Sequence, residues 1–220
     1  MSNTHPVMLR YKNTHLHSFP LILIVGREPN NDPDSESTYE SNGLPFNKGI
    51  DENTGKEFNN TKCAFWNIAF GKFAKVNGTH TQQIKKDFEY REACPIIFTD
   101  ASPIGIPNEK GNKWRERKKL GELKFKEQLE KIFKQKDLLI RVKLVIFSGL
   151  DRDKNVYEYF KKEFETYKND HGYDFRINEN VPFFYGTNSK KIDDAIKKED
   201  QEIFKEIYNE FINLPIKKQS

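Results

Sequence analysis

Three side chains in this sequence, Glu28, Asp100 and Asn188, follow closely on apolar runs that read as buried strands. A carboxylate at such a place can direct a water molecule or steady a developing positive charge, and an amide there can both donate and accept hydrogen bonds. Glu28 is the most sharply framed of the three. It lies in Leu21 to Asn30, LILIVGREPN, where five apolar residues run into Gly26, the charged pair Arg27 and Glu28, and Pro29. Pro29 cannot donate to a ladder and Gly26 permits unusual dihedrals, so the loop is expected to be stiff, with its backbone close to whatever binds. Taken alone, the same residues also read as a plain strand exit with a surface ion pair. His15 and His17 form a second suggestive pair: in an extended segment their rings would share a face, as a metal pair needs. No third ligand is in view, and a solvated arm is the preferred reading.

These groups need a frame to hold them. Besides Leu21 to Val25, candidate strands are Pro95 to Thr99, Val142 to Ser148 and Asn180 to Tyr185. Helices are expected over 61 to 76, where Phe65, Ile68, Ala69 and Phe73 recur at helical spacing, and over Thr81 to Arg91. Asp151 can cap a further helix whose buried stripe is Val156, Tyr159, Phe160 and Phe164. A closing helix carries Ile192, Ile196, Ile203, Phe204, Ile207 and Phe211. Strands alternating with helices predict a three-layer α/β/α sandwich around a central, mainly parallel four-stranded sheet. Residues 1 to 20 form an N-terminal arm, 21 to 214 one α/β domain, and 215 to 220 a tail. Four exit loops then gather along one sheet edge: Gly26 to Asn30, Thr99 to Asn108, Gly149 to Arg152, and Tyr185 to Ser189. Ligands of open α/β sheets bind beyond that edge.

Two stretches stand apart from this alternation. Asn31 to Asn60 reads as a long polar loop around Gly43-Leu44-Pro45-Phe46, and a loop of that length without structure of its own usually serves a site. Phe46 is either a plug onto the core or a platform for a flat ligand. Lys110 to Lys143 holds thirteen Lys or Arg against five Asp or Glu, with Leu123, Leu129, Ile132 and Phe133 as an apolar stripe. That pattern predicts an amphipathic helix with a basic outer face, either simply solvated or laid against a phosphate backbone. Trp114 within it could stack or anchor the helix.

Composition bounds the rest. The chain has 220 residues, a net charge of +4 and 13% aromatic residues, which offset a hydrophobic share of only 35% in building a core. The charge alone does not announce nucleic acid. Two cysteines, Cys63 and Cys94, fit a reducing compartment. No secretory signal opens the chain and its longest apolar run is too short for a bilayer, so a cytoplasmic protein is expected, nucleoid-associated if prokaryotic.

The ordered set of motifs resembles the uracil-DNA glycosylase superfamily over roughly residues 20 to 212. The family's first strand runs into a Gly-x-Asp/Asn/Ala-Pro loop, here Gly26-Arg27-Glu28-Pro29. Its Gly-x-x-Phe segment is matched by Gly43-Leu44-Pro45-Phe46, and the Phe-Trp of its mismatch-specific branch by Phe65-Trp66. Phe98-Thr99-Asp100 stands where the family has a strand ending in Thr-Asn or Leu-Asn. Val145 to Gly149 is similar to its last apolar strand, and Val181 to Gly186 lies where its closing loop belongs.

The resemblance implies a monomeric enzyme that acts on DNA, single-stranded or mismatched, without metal or cofactor. Glu28 would activate water, and Asn188 or Tyr185 would supply a donor to the leaving base. Gly26, Asn30, Phe46, Asp100 and Tyr185 would hold the base. Lys113, Arg115, Arg117, Lys118, Lys119, Ser189 and Lys190 would hold the DNA backbone. The departures refine this picture. An ionised Asp100 replaces an Asn that donates to O4, so it suits a base presenting an amino group there. Asn30 replaces a bulky Tyr and leaves room for a 5-substituent. Phe183 stands where the closing loop has His or Asn, which opens a second reading: the same fold used as a nucleic-acid or nucleotide-binding module without catalysis. An unrelated small-molecule enzyme is disfavoured, since no Gly-rich phosphate loop is present.

Overall fold

In the computed structural model, residues 14–26, 49–50, 57–58, 70–101, 124–150, 154–179, 181 and 196–216 are described. Leu21 to Val25 are all fully buried, as an unbroken apolar run requires of a strand covered on both faces. They form β1 (Leu21–Gly26), which pairs in parallel with β4 (Ile96–Asp100) on one side and β5 (Val142–Phe147) on the other. β6 (Arg176–Ile177) adds to β5, also in parallel, giving the order β4-β1-β5-β6. This is the expected α/β class with a four-stranded parallel sheet. The fourth strand, however, lies upstream of the expected run Asn180 to Tyr185. Of that run only Val181 is described, and it makes a single parallel bridge with Ser148. Another correction falls in the long polar loop: β2 (Gly49–Ile50) pairs antiparallel with β3 (Glu57–Phe58) inside it.

The described helices are α1 (Lys72–Val76), α2 (Thr81–Arg91), α3 (residues 124–133), α4 (Lys136–Leu139), α5 (Lys154–His171) and α6 (Lys198–Ile212). The basic helix expected to reach Lys143 is therefore broken: α3 ends before Lys134, α4 is a single turn, and Val142 and Lys143 already belong to β5. Leu129 and Ile132 are buried as its stripe requires. α2 matches its expected span, and α6 begins later than the closing apolar stripe suggested, with Ile196 buried just ahead of it.

Strand alternation decides which helices cover which residues. Val25 is in register with Thr99 and Phe147, so these three side chains share a face. Phe147 packs edge-on against Tyr157 and Phe164 of α5 at 5.5 and 5.7 Å. α3 joins the same layer through Phe125 on Phe160 and Phe133 on Phe164. A second group of rings links α1, α2 and α6: Phe73 meets Phe204 at 4.9 Å, and Phe88 meets Phe211 at 5.0 Å.

At the amino end of the sheet Arg141 closes the N-terminal arm onto the domain. Its guanidinium donates to the Phe19 carbonyl through Nε and Nη2 and to the Thr14 carbonyl through Nη1, and it lies over the Phe19 ring. Burial holds its pKa below the ordinary arginine value. Thr14 to Leu16 is a 3-10 turn, so the extended spacing that would give the two histidine rings a shared face is not adopted. His17 stacks on Phe19 instead. Cys94 is a buried free thiol whose pKa burial pushes up. No helix among the described residues is long and apolar enough to cross a membrane.

Candidate functional site at the carboxyl edge of the sheet

The chain goes from β1 outward to β4 and then returns across β1 to β5. The strand order therefore reverses at β1, and the crevice beyond the carboxyl ends of β1 and β5 is the sheet's topological switch point, where open α/β sheets take their ligands. Gly26 ends β1 at this place.

Backbone bonds fix the edge beyond the strands themselves. The Ala101 N–H donates to the Gly26 carbonyl at 2.8 Å, and the Ser148 N–H to the Val25 carbonyl at 2.9 Å. Val181 then extends the edge, donating to the Phe147 carbonyl at 2.7 Å and accepting from Gly149 at 2.9 Å. Gly149 holds φ 78°, a left-handed conformation that favours glycine at this turn.

Gly26 and Asp100 are register partners, so their side-chain positions share a face of the sheet. By continued alternation Ser148 stands on that face too, on the far side of β1. The Asp100 side chain leans across Gly26: a β-carbon at Gly26 would stand 2.5 Å from Asp100 Oδ1 and 3.7 Å from its Cγ. The carboxylate thus occupies the space over the end of β1. Both residues are half-buried. The expectation of an unusual dihedral at Gly26 is not met, since among the described residues the glycines with positive φ are Gly78, Gly149 and Gly172. What the position requires is room.

On the opposite face, Thr99 is 5% exposed and accepts from Gln128 Nε2 at 3.4 Å. Gln128, 2% exposed on α3, brings an amide under the end of β4. Neither Gln128 nor Ser148 is a candidate on sequence grounds. The usable signal is modest: a Gln on a helix face between apolar residues, and a Ser closing the apolar run of β5.

Of the site residues expected from sequence, the structure brings Gly26 and Asp100 together. Glu28, Asn30, Phe46, Tyr185, Asn188, Ser189 and Lys190 lie outside the described residues, as do Lys113, Arg115, Arg117, Lys118 and Lys119. Phe183 and Trp114 lie outside them as well. Among the described residues no group of three or more His, Cys, Asp or Glu is disposed to hold a metal ion. Neither a family model, nor a curated protein, nor a solved structure matches the chain.

A carboxylate accepts hydrogen bonds and donates none, so the ligand chemistry that suits Asp100 at the end of β4 is an edge carrying N–H groups. Charge-assisted bonds of this kind are about twice as strong as neutral ones.

Proposed function

We propose that the chain binds a base of DNA at the carboxyl edge of its sheet and hydrolyses the N-glycosidic bond of a damaged or mismatched base rotated out of the stack. The observation that carries the reading is the Asp100 carboxylate lying over Gly26, at the end of the strand that borders the switch point. The ordered motifs of the sequence add to it, since Gly26 and Asp100 are the termini of two of them. In this reading Asp100 reads an N–H-bearing edge and Phe46 stacks on the base. Glu28 directs a water at the sugar carbon while the basic stretch around Lys113 to Lys119 neutralises phosphates. Hydrolysis adds water across the C1′–N bond: the hydroxyl goes to the sugar carbon and the proton to the departing base.

The test is an excision screen with labelled oligonucleotides carrying uracil, mismatched thymine, hypoxanthine, xanthine or 5-substituted pyrimidines, in single and double strands, developed by alkaline cleavage. Abasic product that disappears in Glu28→Gln supports the reading. Equal activity of the two forms removes Glu28 from the mechanism.

The acceptor-only character of Asp100 also favours a second reading, in which the fold binds nucleic acid without cutting the glycosidic bond. It predicts salt-sensitive binding and no abasic product on any of these substrates.

A further inference from the structure

We infer that Gly26 is a positioning residue: by carrying no side chain it lets the Asp100 carboxylate lie across the end of β1, and so sets where that carboxylate meets a ligand. The inference rests on the base-binding reading above for its ligand, though not for its geometry.

Three explanations for a glycine at a strand end can be separated here. A left-handed backbone is one, and it fails, because Gly26 is a strand residue outside the positive-φ set. Close approach of neighbouring backbone is another. Among the described residues, the nearest main-chain atom to a β-carbon at Gly26 would be the Thr99 carbonyl oxygen at 3.8 Å, an ordinary contact, so the described backbone alone would accept alanine. The remaining obstacle is Asp100 Oδ1 at 2.5 Å. That atom is the far end of a side chain with its own rotatable bonds, and it yields by rotation about χ1 rather than by moving the strand. Gly26→Ala is thus expected to leave the fold in place and swing the carboxylate off the end of β1.

The register makes this the natural consequence of the sheet. β4 supplies the carboxylate, β1 supplies the vacancy it leans into, and the Ala101 N–H to Gly26 carbonyl bond at 2.8 Å ties the two strand ends together. The position of the charge therefore depends on both strands. A glycine serving only as clearance for the ligand would act independently of Asp100, and this difference is measurable.

The experiment is a double-mutant cycle on the full chain with Gly26→Ala, Asp100→Ala and the combination. It is read by fluorescence anisotropy with short labelled oligonucleotides bearing a single uracil, cytosine or adenine opposite an abasic site. Gly26→Ala is expected to weaken the tightest complex by about tenfold, the scale of one lost charge-assisted hydrogen bond. In the Asp100→Ala background it is expected to change binding by less than about twofold, because coupled residues are non-additive. Equal losses in both backgrounds would overturn the inference. Amide exchange along β1 and β4 in Gly26→Ala is expected to match that of the wild type, and faster exchange there would mean that backbone rather than carboxylate has moved, and would overturn the inference as well. If the wild type binds none of the oligonucleotides, the base-binding reading fails, and Gly26 is then judged by carboxyl carbon NMR. A displaced Asp100 resonance and titration midpoint in Gly26→Ala sustain the positioning role, and an unchanged resonance ends it.

Discussion

The Tyr208 hydroxyl donates to Asp87 Oδ2 at 2.6 Å, joining α6 to α2 through a buried contact between residues 121 apart in sequence. Gln83 Nε2 donates to the other carboxylate oxygen at 3.0 Å. Arg91 completes the group: its Nη1 reaches the Asp87 carbonyl, and its Nη2 reaches the Ile212 carbonyl at the end of α6. Removing the hydroxyl leaves a buried carboxylate one donor short. Tyr208→Phe is expected to lower stability by about 1–3 kcal/mol, read as a lower urea midpoint with an unchanged slope. A midpoint equal to wild type would show that water replaces the hydroxyl.

The same phenol gives an alkaline signature. Burial, then the bond to Asp87, pushes the Tyr208 pKa up. Burial and the hydrogen bond with Tyr173 push Tyr167 up to about 12. A pKa raised in the folded state means that stability is fully present below the unfolded phenol value of about 10 and declines as pH rises through the folded value. Urea midpoints are therefore expected to hold up to about pH 9 and fall above about pH 10. The double variant Tyr167→Phe, Tyr208→Phe should flatten that fall, and an identical slope in the variant would place its cause elsewhere.

Arg141 makes the third prediction. Arg141→Met keeps much of the stem but loses three donated bonds to the Phe19 and Thr14 carbonyls. A loss of about 2–3 kcal/mol is expected, with faster amide exchange concentrated in residues 14 to 21. Arg141→Lys should recover only part of it, since an ammonium cannot reproduce the guanidinium fork. Full recovery by lysine would reduce the clamp to simple charge.

A fourth prediction follows from the proposed binding of DNA. Changing Lys113, Arg115, Arg117, Lys118 and Lys119 to Gln should weaken binding alike on all sequences. It should also flatten the dependence of log K on log salt by about 0.9 for each duplex phosphate that is no longer neutralised. An unchanged salt slope would remove this stretch from the interface.

What could be read from sequence follows from burial. Leu21 to Val25, Ile96 to Thr99 and Leu144 to Phe147 are buried at every residue, and such coverage demands the mostly apolar runs that identified them, with Lys143 the exposed exception near the start of β5. β6 escaped because it is a two-residue edge strand containing an exposed arginine. Arg176 is committed elsewhere, donating from Nε to the buried Asp200 at 2.7 Å and bridging to Glu199 in the first turn of α6. Two-residue β2 and β3 are equally silent, because a ladder of that length leaves no period to detect. The break between α3 and α4 was hidden by helix-forming residues on both sides of Gln135.

The site was legible in part, and for the wrong reason in one respect. Gly26 and Asp100 stood out as residues at strand ends, but their mutual approach depends on the register between β1 and β4, which neither run encodes alone. The same holds for Gln128 beneath Thr99: a buried amide on a helix becomes meaningful only once the helix has a strand to face. Local sequence reports what each element must bury, and the chemistry at the edge arises from how the elements are aligned.

The placement of β1 has a bearing on how the chain is made. β1 is early in the chain yet central in the sheet, and its two partners begin at Ile96 and Val142. During synthesis its apolar run must therefore wait, first for β4 and later for β5, before both of its ladders can close. Such distant pairings form slowly, and an unpaired stretch of Leu, Ile and Val is prone to self-association in the meantime. A ribosome-bound fragment ending before Val142 would carry an open flank on its most hydrophobic strand, and that intermediate is where a chaperone would have the most to hold.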